Sequence, residues 1–226
     1  MSKILSLQQI NNAAKNLNVP VATLRAVIEV EARGAGFDSE DKPVILFERH
    51  VFYQRLTQKN LLTIRNKANK ERPDLCFPNW TTGSYGSFSA QHKRLEDASA
   101  YHRETALESC SWGLGQVMGY HWKTLSYPSL QSFINAMFKD EAGQLDAMCR
   151  FIKVNRLDGY MRNLDWAGFA LGYNGSGYKA NRYDEKLAAA YRKFNTTTTT
   201  TSTTSTTTTS KATTATTTKT TTTTKK

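Results

Sequence analysis

The sequence predicts a mainly α-helical domain with a small β element, followed by a disordered Thr-rich tail. Apolar residues recur at helical spacing through most segments of the first 195 residues. Residues 196–226, by contrast, are almost entirely Thr with some Ser, Lys and Ala, and include no aromatic or large aliphatic residue. Such a segment cannot bury enough apolar surface to offset the entropy of ordering it. We therefore predict one domain over residues 1–195 and a disordered tail over residues 196–226.

The helical spacing is clear enough to place individual elements. It predicts helices over residues 5–17, 20–33, 49–58, 89–108, 129–138, 139–155, 164–173 and 183–194. Pro20 suits the first turn of the second helix, and Gly34 suits its end. The apolar run Pro43–Phe47 predicts a short strand or a buried turn. Residues 73–88 hold two Pro and two Gly among several aromatics, which is typical of an irregular loop.

Composition narrows the possible partners without choosing one. The net charge is +11, and removing the four tail lysines leaves +7 on the first 195 residues. A basic protein attracts polyanions such as nucleic acid, anionic lipid or bacterial wall polymers, although a solvated basic surface is equally common. No run approaches about 20 apolar residues, and the N-terminus has no secretory pattern. We expect a protein made in the cytoplasm, without a membrane span.

The cysteines and histidines show no metal-binding pattern. Cys76, Cys110 and Cys149 form no CxxC pair, and the four histidines lack an HExxH-type spacing. The three cysteines are few and odd in number, which favours folding in a reducing compartment. The alternative that two of them form a disulfide stays open. We expect buried apolar cysteines, no metal and no cofactor.

Glu31 is the strongest candidate for a catalytic residue. At about 100° per residue it shares one helix face with Leu24 and Ile28, whereas Glu29 points to a polar face. Apolar surroundings and the negative end of the helix dipole both disfavour the ionised carboxylate, so we expect a raised pKa. A protonated carboxyl near neutral pH is what a general acid for glycoside cleavage needs. The alternative is a structural ion pair with Arg33 or Arg49.

Three further segments supply candidate site residues. Glu48 follows the apolar run and is either a second carboxylate or a structural acid. Ser111–Met118 holds Ser111, Trp112 and Gln116 among glycines, which suits sugar binding, although a Gly-rich turn with a core Trp explains it equally well. Tyr173 and Asn174 end a predicted helix and either face a cleft or form an ordinary helix terminus.

Taken in order, these segments resemble a known family. Glu31, FERH (Phe47–His50), SWGLGQVMG (Ser111–Gly119) and ALGYNG (Ala170–Gly175) resemble the N-acetylmuramidase domain of endolysins from phages that infect Gram-negative bacteria. The resemblance covers about residues 5–194. Goose-type lysozymes and lytic transglycosylases are similar more distantly, since they also place a catalytic Glu at a helix end before a Gly-rich turn and a Tyr-Asn-Gly stretch.

The resemblance implies a lysozyme-like, two-lobed fold that cleaves the β-1,4 bond after N-acetylmuramic acid in peptidoglycan. It implies Glu31 as the acid, with the substrate held by Ser111, Trp112, Gln116, Tyr173 and Asn174, and Glu48 as the candidate second carboxylate. We expect a monomer that binds glycan strands and, through its basic surface, anionic envelope polymers, but no nucleic acid. We expect it to leave the host cytoplasm and act on periplasmic peptidoglycan after release.

The sequence also departs from these relatives. Many have small residues such as Ser-Gly after the catalytic Glu, whereas Ala32, Arg33 and Gly34 follow here, so Arg33 either lines the cleft or lowers the pKa of Glu31. We identify no separate wall-binding module. Two alternatives stay open at this point: a lytic transglycosylase that forms 1,6-anhydro products, and a non-catalytic protein that binds cell wall or nucleic acid.

Overall fold

Helices make up most of the protein in the computed structural model, which describes residues 3–32, 35–80 and 85–205. The mainly α class with a small β element is confirmed. The helices are α1 (Leu7–Leu17), α2 (Val21–Glu31), α3 (Arg49–Gln58), α4 (Leu62–Glu71), α5 (Gln91–Glu108), α6 (Leu130–Lys139), α7 (Glu141–Val154), α8 (Asp158–Asn163), α9 (Trp166–Asn174) and α10 (Tyr183–Ser205). None of the helices in this described part is long and apolar enough to cross a membrane.

Two of these helices were not predicted from the sequence. Helix α4 buries only Ala68, so it carries no apolar stripe from which a period can be recognised. Helix α8 spans 6 residues, which is too short for a helical period to show. The other eight lie where the apolar spacing placed them, with ends shifted by a few residues, as is usual for helix boundaries.

The small β element is a three-stranded antiparallel sheet rather than a single strand or turn. Its strands are β1 (Ile45–Phe47), β2 (Cys110–Trp112) and β3 (Val117–Met118), in the order β1-β2-β3. Leu46 pairs with Ser111, and Ser111 pairs with Met118. Because side chains alternate between the two faces of a strand, these three residues share one face. The flanking residues of the same strands point to the opposite face, into the core.

Helix α2 packs mainly against α10. Leu24 and Val27 are fully buried, and α10 packs along the helix with Leu187, Ala190 and Phe194 facing inward. The guanidinium of Arg25 lies 4.0 Å from the centroid of the Phe194 ring, which adds a cation–π contact to the packing. The C-terminal end of α2, where Glu31 lies, is therefore held by a well-packed helix.

The last helix continues further than predicted. We placed the domain boundary after Asn195, whereas α10 extends to Ser205. The rest of the predicted tail, residues 206–226, lies outside the described residues, and its disorder stays a prediction. The last α10 side chain known to be buried is that of Phe194, so the packed part of the helix ends close to the predicted boundary.

Two truncations test where the stable domain ends. A chain that ends at Asn195 keeps Leu187, Ala190 and Phe194, and we expect its free energy of unfolding to match that of the full chain. A chain that ends at Lys193 loses the Phe194 ring, which packs with only 9% of its surface exposed. Loss of a buried Phe side chain costs about 3 kcal/mol or more. Denaturant unfolding measures the free energy of unfolding of both truncated chains. If the chain that ends at Asn195 fails to fold, the boundary lies further along α10.

Candidate functional site

A cleft with a volume of about 870 Å³ opens beside the sheet, where the ends of α2 and α9 meet the β2–β3 turn. Leu46, Ser111 and Met118, the three residues that share one face of the sheet, form part of its wall. All but one of the residues predicted for the site line this cleft: Glu31, Glu48, Ser111, Gln116, Tyr173 and Asn174. The size is typical of a pocket that encloses a small ligand or part of a polymer.

Glu31 is the last residue of α2, and only 7% of its surface is exposed. Its Oε1 accepts a hydrogen bond from the side-chain amide Nδ2 of Asn174, at 3.1 Å. Asn174 is itself the last residue of α9, which ends at Gly175 with a φ of +78°. Two helix ends thus converge on one carboxyl group, which is buried yet reaches the cleft.

Glu29 provides the contrast predicted from the helix period. Its side chain is exposed and forms an ion pair with the Nζ of Lys193, with an N–O distance of 2.8 Å. Two acids that are nearly adjacent in sequence therefore have different environments: one faces solvent and the other is enclosed by the cleft wall.

Glu48 lies at the start of α3 and faces the same cleft. Its backbone N–H donates to the carbonyl of Ser109 at 2.9 Å, which fixes it beside β2. One carboxylate oxygen lies 3.4 Å from Nδ1 of His50. Burial raises the pKa of the Tyr85 hydroxyl, and the nearby carboxylate of Glu48 raises it further. Glu48 and Tyr85 are therefore close neighbours in this half of the cleft.

Ser111 and Gln116 form a connected pair across the β2–β3 turn. The Ser111 hydroxyl donates to Oε1 of Gln116 at 2.8 Å, and Nε2 of Gln116 donates to the carbonyl of Gly113 at 2.9 Å. Gln116 adopts a φ of +47°, a conformation that is uncommon for a residue with a side chain. The hydrogen bonds within the turn hold it there, and its amide group faces the cleft in one orientation.

Tyr173 connects α9 to the same turn. Its hydroxyl donates to the carbonyl of Gly115 at 2.7 Å, and its ring stacks on Phe169 with a centroid distance of 5.4 Å. Burial raises the pKa of Tyr173 well above its usual value. The hydroxyl is therefore a fixed donor that ties the wall next to Glu31 to the sheet.

Trp112 does not line the cleft, so its predicted role in substrate binding is wrong. Only 1% of its surface is exposed, and its indole Nε1 donates to the carbonyl of Leu107 at 3.1 Å. The reason is the alternation of β2, in which Ser111 faces the cleft and the next residue must face the core. Without knowledge that Cys110–Trp112 is a strand, the sequence does not distinguish the two faces.

Tyr85 and Gln91 are among the residues of the cleft wall that were not predicted from the sequence. Gln91 is buried, accepts from the backbone N–H of Phe47 at 3.2 Å and donates to the carbonyl of Ser87 at 3.0 Å. It therefore fastens the loop that carries Tyr85 to β1. The only signal in the sequence that could have indicated Tyr85 was the aromatic content of that loop.

Arg33, which we expected near Glu31, lies outside the described residues.

Comparison with known proteins gives two matches. A family model described as N-acetylmuramidase matches residues 20–195. The crystal structure of the Burkholderia AP3 phage endolysin is similar, with a TM-score of 0.79 and 38% sequence identity, and the alignment covers 88% of this chain and 73% of that chain. No curated protein matches the chain.

Proposed function

The chain belongs to the N-acetylmuramidase family, and we propose that Glu31 is the general acid with which it cleaves its substrate. The protein is a peptidoglycan hydrolase of the phage endolysin type, which confirms the resemblance drawn from the sequence. The same matches favour hydrolysis over the two alternatives, a transglycosylase and a non-catalytic binding protein. The roles of individual residues are our proposal, and they rest on the geometry of the cleft.

The observation that carries the assignment of Glu31 is the bond from Asn174. That amide donates to Oε1 and so fixes the orientation of the carboxyl group, which in its protonated form carries the proton of a general acid. Burial and the adjacent helix C-terminus both disfavour the charged carboxylate. We infer that Glu31 donates this proton to the bridging oxygen as the glycosidic bond breaks, and that water attacks the oxocarbenium-like sugar that develops.

We assign roles to the other predicted polar residues of the cleft from the hydrogen bonds that they make and from the atoms that remain available for the substrate. The Ser111 hydroxyl and the Gln116 amide nitrogen donate their hydrogen bonds within the turn. The oxygens of both side chains have further lone pairs, which can accept from N–H and O–H groups of the N-acetyl sugars. Tyr173 and Asn174 act mainly by holding the wall and the acid in place. Glu48 is the proposed second carboxylate, which either orients the water or stabilises the positive charge on the sugar.

Substitution of Glu31 tests the assignment of the acid. Glu31→Gln keeps the shape of the side chain but cannot deliver a proton, so we expect the rate to fall about 10²-fold or more while the protein stays folded. The measurement is the formation of new reducing ends from purified peptidoglycan. Because a 1,6-anhydro product has no reducing end, the same assay separates hydrolysis from transglycosylation.

Glu29→Gln is the matched control for that experiment. Glu29 lies on the same helix, but its side chain is exposed and makes a surface ion pair with Lys193, which is worth about 0–1 kcal/mol. We expect a rate close to that of the wild type. Wild-type activity in the Glu31 variant would remove Glu31 from the mechanism.

Glu48→Gln tests the second carboxylate. The substitution removes the negative charge with little change of shape, and we expect the rate to fall about 10²-fold if Glu48 activates the water. Glu40→Gln is the control, since Glu40 is an exposed acid paired with Lys42 and should be silent. A Glu48 variant that cuts at the wild-type rate would make Glu48 a structural acid that positions His50 and Tyr85.

We further propose that the basic surface aids adsorption to the anionic wall. The first 195 residues carry +7, and salt shortens the screening length from about 10 Å at 0.1 M to about 3 Å at 1 M. We expect added salt to slow lysis of intact wall far more than cleavage of a short, uncharged, soluble glycan. An equal loss on both substrates would indicate a salt-sensitive cleft, and no loss on either would make the charge irrelevant to catalysis.

A further inference from the structure

We propose that Gln144 and Glu141, two buried polar residues of α7 that do not line the cleft, are positioning residues for the catalytic acid. The proposal rests on the function proposed for Glu31. Gln144 is 1% exposed and Glu141 is 8% exposed, and both place their polar atoms on backbone groups of other segments. Together they hold the segment that follows Glu31 and join it to the β2–β3 turn.

Gly36 follows Glu31 closely in sequence, and both its backbone N–H and its carbonyl form hydrogen bonds with side chains of α7. Its N–H donates to Oε1 of Glu141 at 2.9 Å, and its carbonyl accepts from Nε2 of Gln144 at 3.1 Å. The same carbonyl also accepts from the N–H of Val44 at 2.9 Å, which brings the segment back towards β1. The chain that leaves the catalytic helix is therefore fastened to α7 before it reaches the sheet.

Gln144 also holds the opposite wall of the cleft. Its Oε1 accepts from the backbone N–H of Leu114 at 2.8 Å, and its Nε2 makes a further bond to the carbonyl of Met137 at 2.9 Å. Leu114 lies within the β2–β3 turn, directly before the cleft residues Gly115 and Gln116. The side-chain amide of Gln144 thus links the segment after Glu31 to the β2–β3 turn. Its Nε2 donates two hydrogen bonds and its Oε1 accepts one.

The backbone is built to admit this amide. A side chain at Gly36 or at Gly113 would overlap the amide group of Gln144, and Gly113 in addition adopts a φ of +61°. Both positions therefore need glycine so that the two backbones can approach Gln144 from opposite sides. Gly113, which belongs to the glycine-containing segment Ser111–Met118, thus serves this contact as well as the turn itself.

Glu141 ties the N-terminal segment to the same place. Its Oε2 accepts from the backbone N–H of Leu5 at 2.8 Å, and its own N–H donates to the carbonyl of Lys3 at 2.8 Å. Each carboxylate oxygen thus accepts from one backbone N–H, that of the partly buried Leu5 and that of the buried Gly36. Because an unpaired buried N–H is costly, the carboxylate holds both segments at fixed positions.

The consequence for catalysis is geometric. Glu31 ends its helix, so its position across the cleft depends on where the chain goes next and on how far away the β2–β3 turn lies. A displacement of about 1 Å between catalytic groups and substrate can cost about 10²-fold in rate. Loss of the Gln144 bonds should therefore reduce turnover more than substrate binding, since Ser111 stays on β2 and Gln116 keeps its hydrogen bonds to Ser111 and to the carbonyl of Gly113.

Gln144→Met tests this, because Met keeps the length and volume of Gln but makes none of its hydrogen bonds. We expect kcat on soluble, uncross-linked glycan strands to fall about 10-fold or more, with KM changed by less than about 2-fold. Glu141→Gln, which keeps only one acceptor oxygen, should show a smaller loss in kcat. All variants are assayed at a temperature at which circular dichroism shows them folded, and Glu141→Gln serves alone if Gln144→Met does not fold.

Leu56→Ala is the matched control for loss of stability. Leu56 is fully buried in α3 and does not line the cleft, so its truncation should lower the melting temperature while kcat stays near the wild-type value. Wild-type kcat in the α7 variants, or a rise in KM with unchanged kcat, would overturn the positioning role. An inactive wild type or a fully active Glu31→Gln would instead refute the proposed function itself, so the two failures are distinguishable.

Discussion

The hydrogen bond from Asn174 to Glu31 is the interaction on which the site depends. It joins the last residue of α9 to the last residue of α2, which are 143 positions apart in sequence. The bond forms only if both helix ends are held in place, and α10 packs against both helices while Tyr173 ties α9 to the β2–β3 turn. Much of the helical packing thus acts to bring one amide and one carboxyl group together beside a cleft.

The sheet supplies the second constraint. Three strands of two or three residues each present Leu46, Ser111 and Met118 to the cleft and bury Trp112 on the other face. Because successive side chains of a strand alternate between its two faces, a residue of β2 faces either the cleft or the core. The turn that follows is held by polar contacts from three directions: its own Gln116, Tyr173 of α9 and Gln144 of α7.

Local patterns predicted the helical class and most of the helices, since an apolar stripe is visible wherever a helix buries one face. They failed for α4, which is polar nearly all round, and for α8, which is too short to show a period. They identified Glu31 through its position among buried residues, and six candidate residues share the cleft. They misplaced Trp112, because neighbouring residues of an unrecognised strand face opposite ways.

The sequence alone determined the fold class and the candidates for the chemistry: a carboxyl within an apolar helix face, a second acid after an apolar run, and the motifs that resemble the family. Only the tertiary structure decided how these groups are held. Gln144 and Glu141 attracted no notice in the sequence because a buried Gln or Glu looks like any polar residue of a surface helix. Among their backbone partners, Gly36 and Leu5 lie more than 100 positions away and Leu114 lies 30 positions away. Local spacing carries no information about contacts of that range.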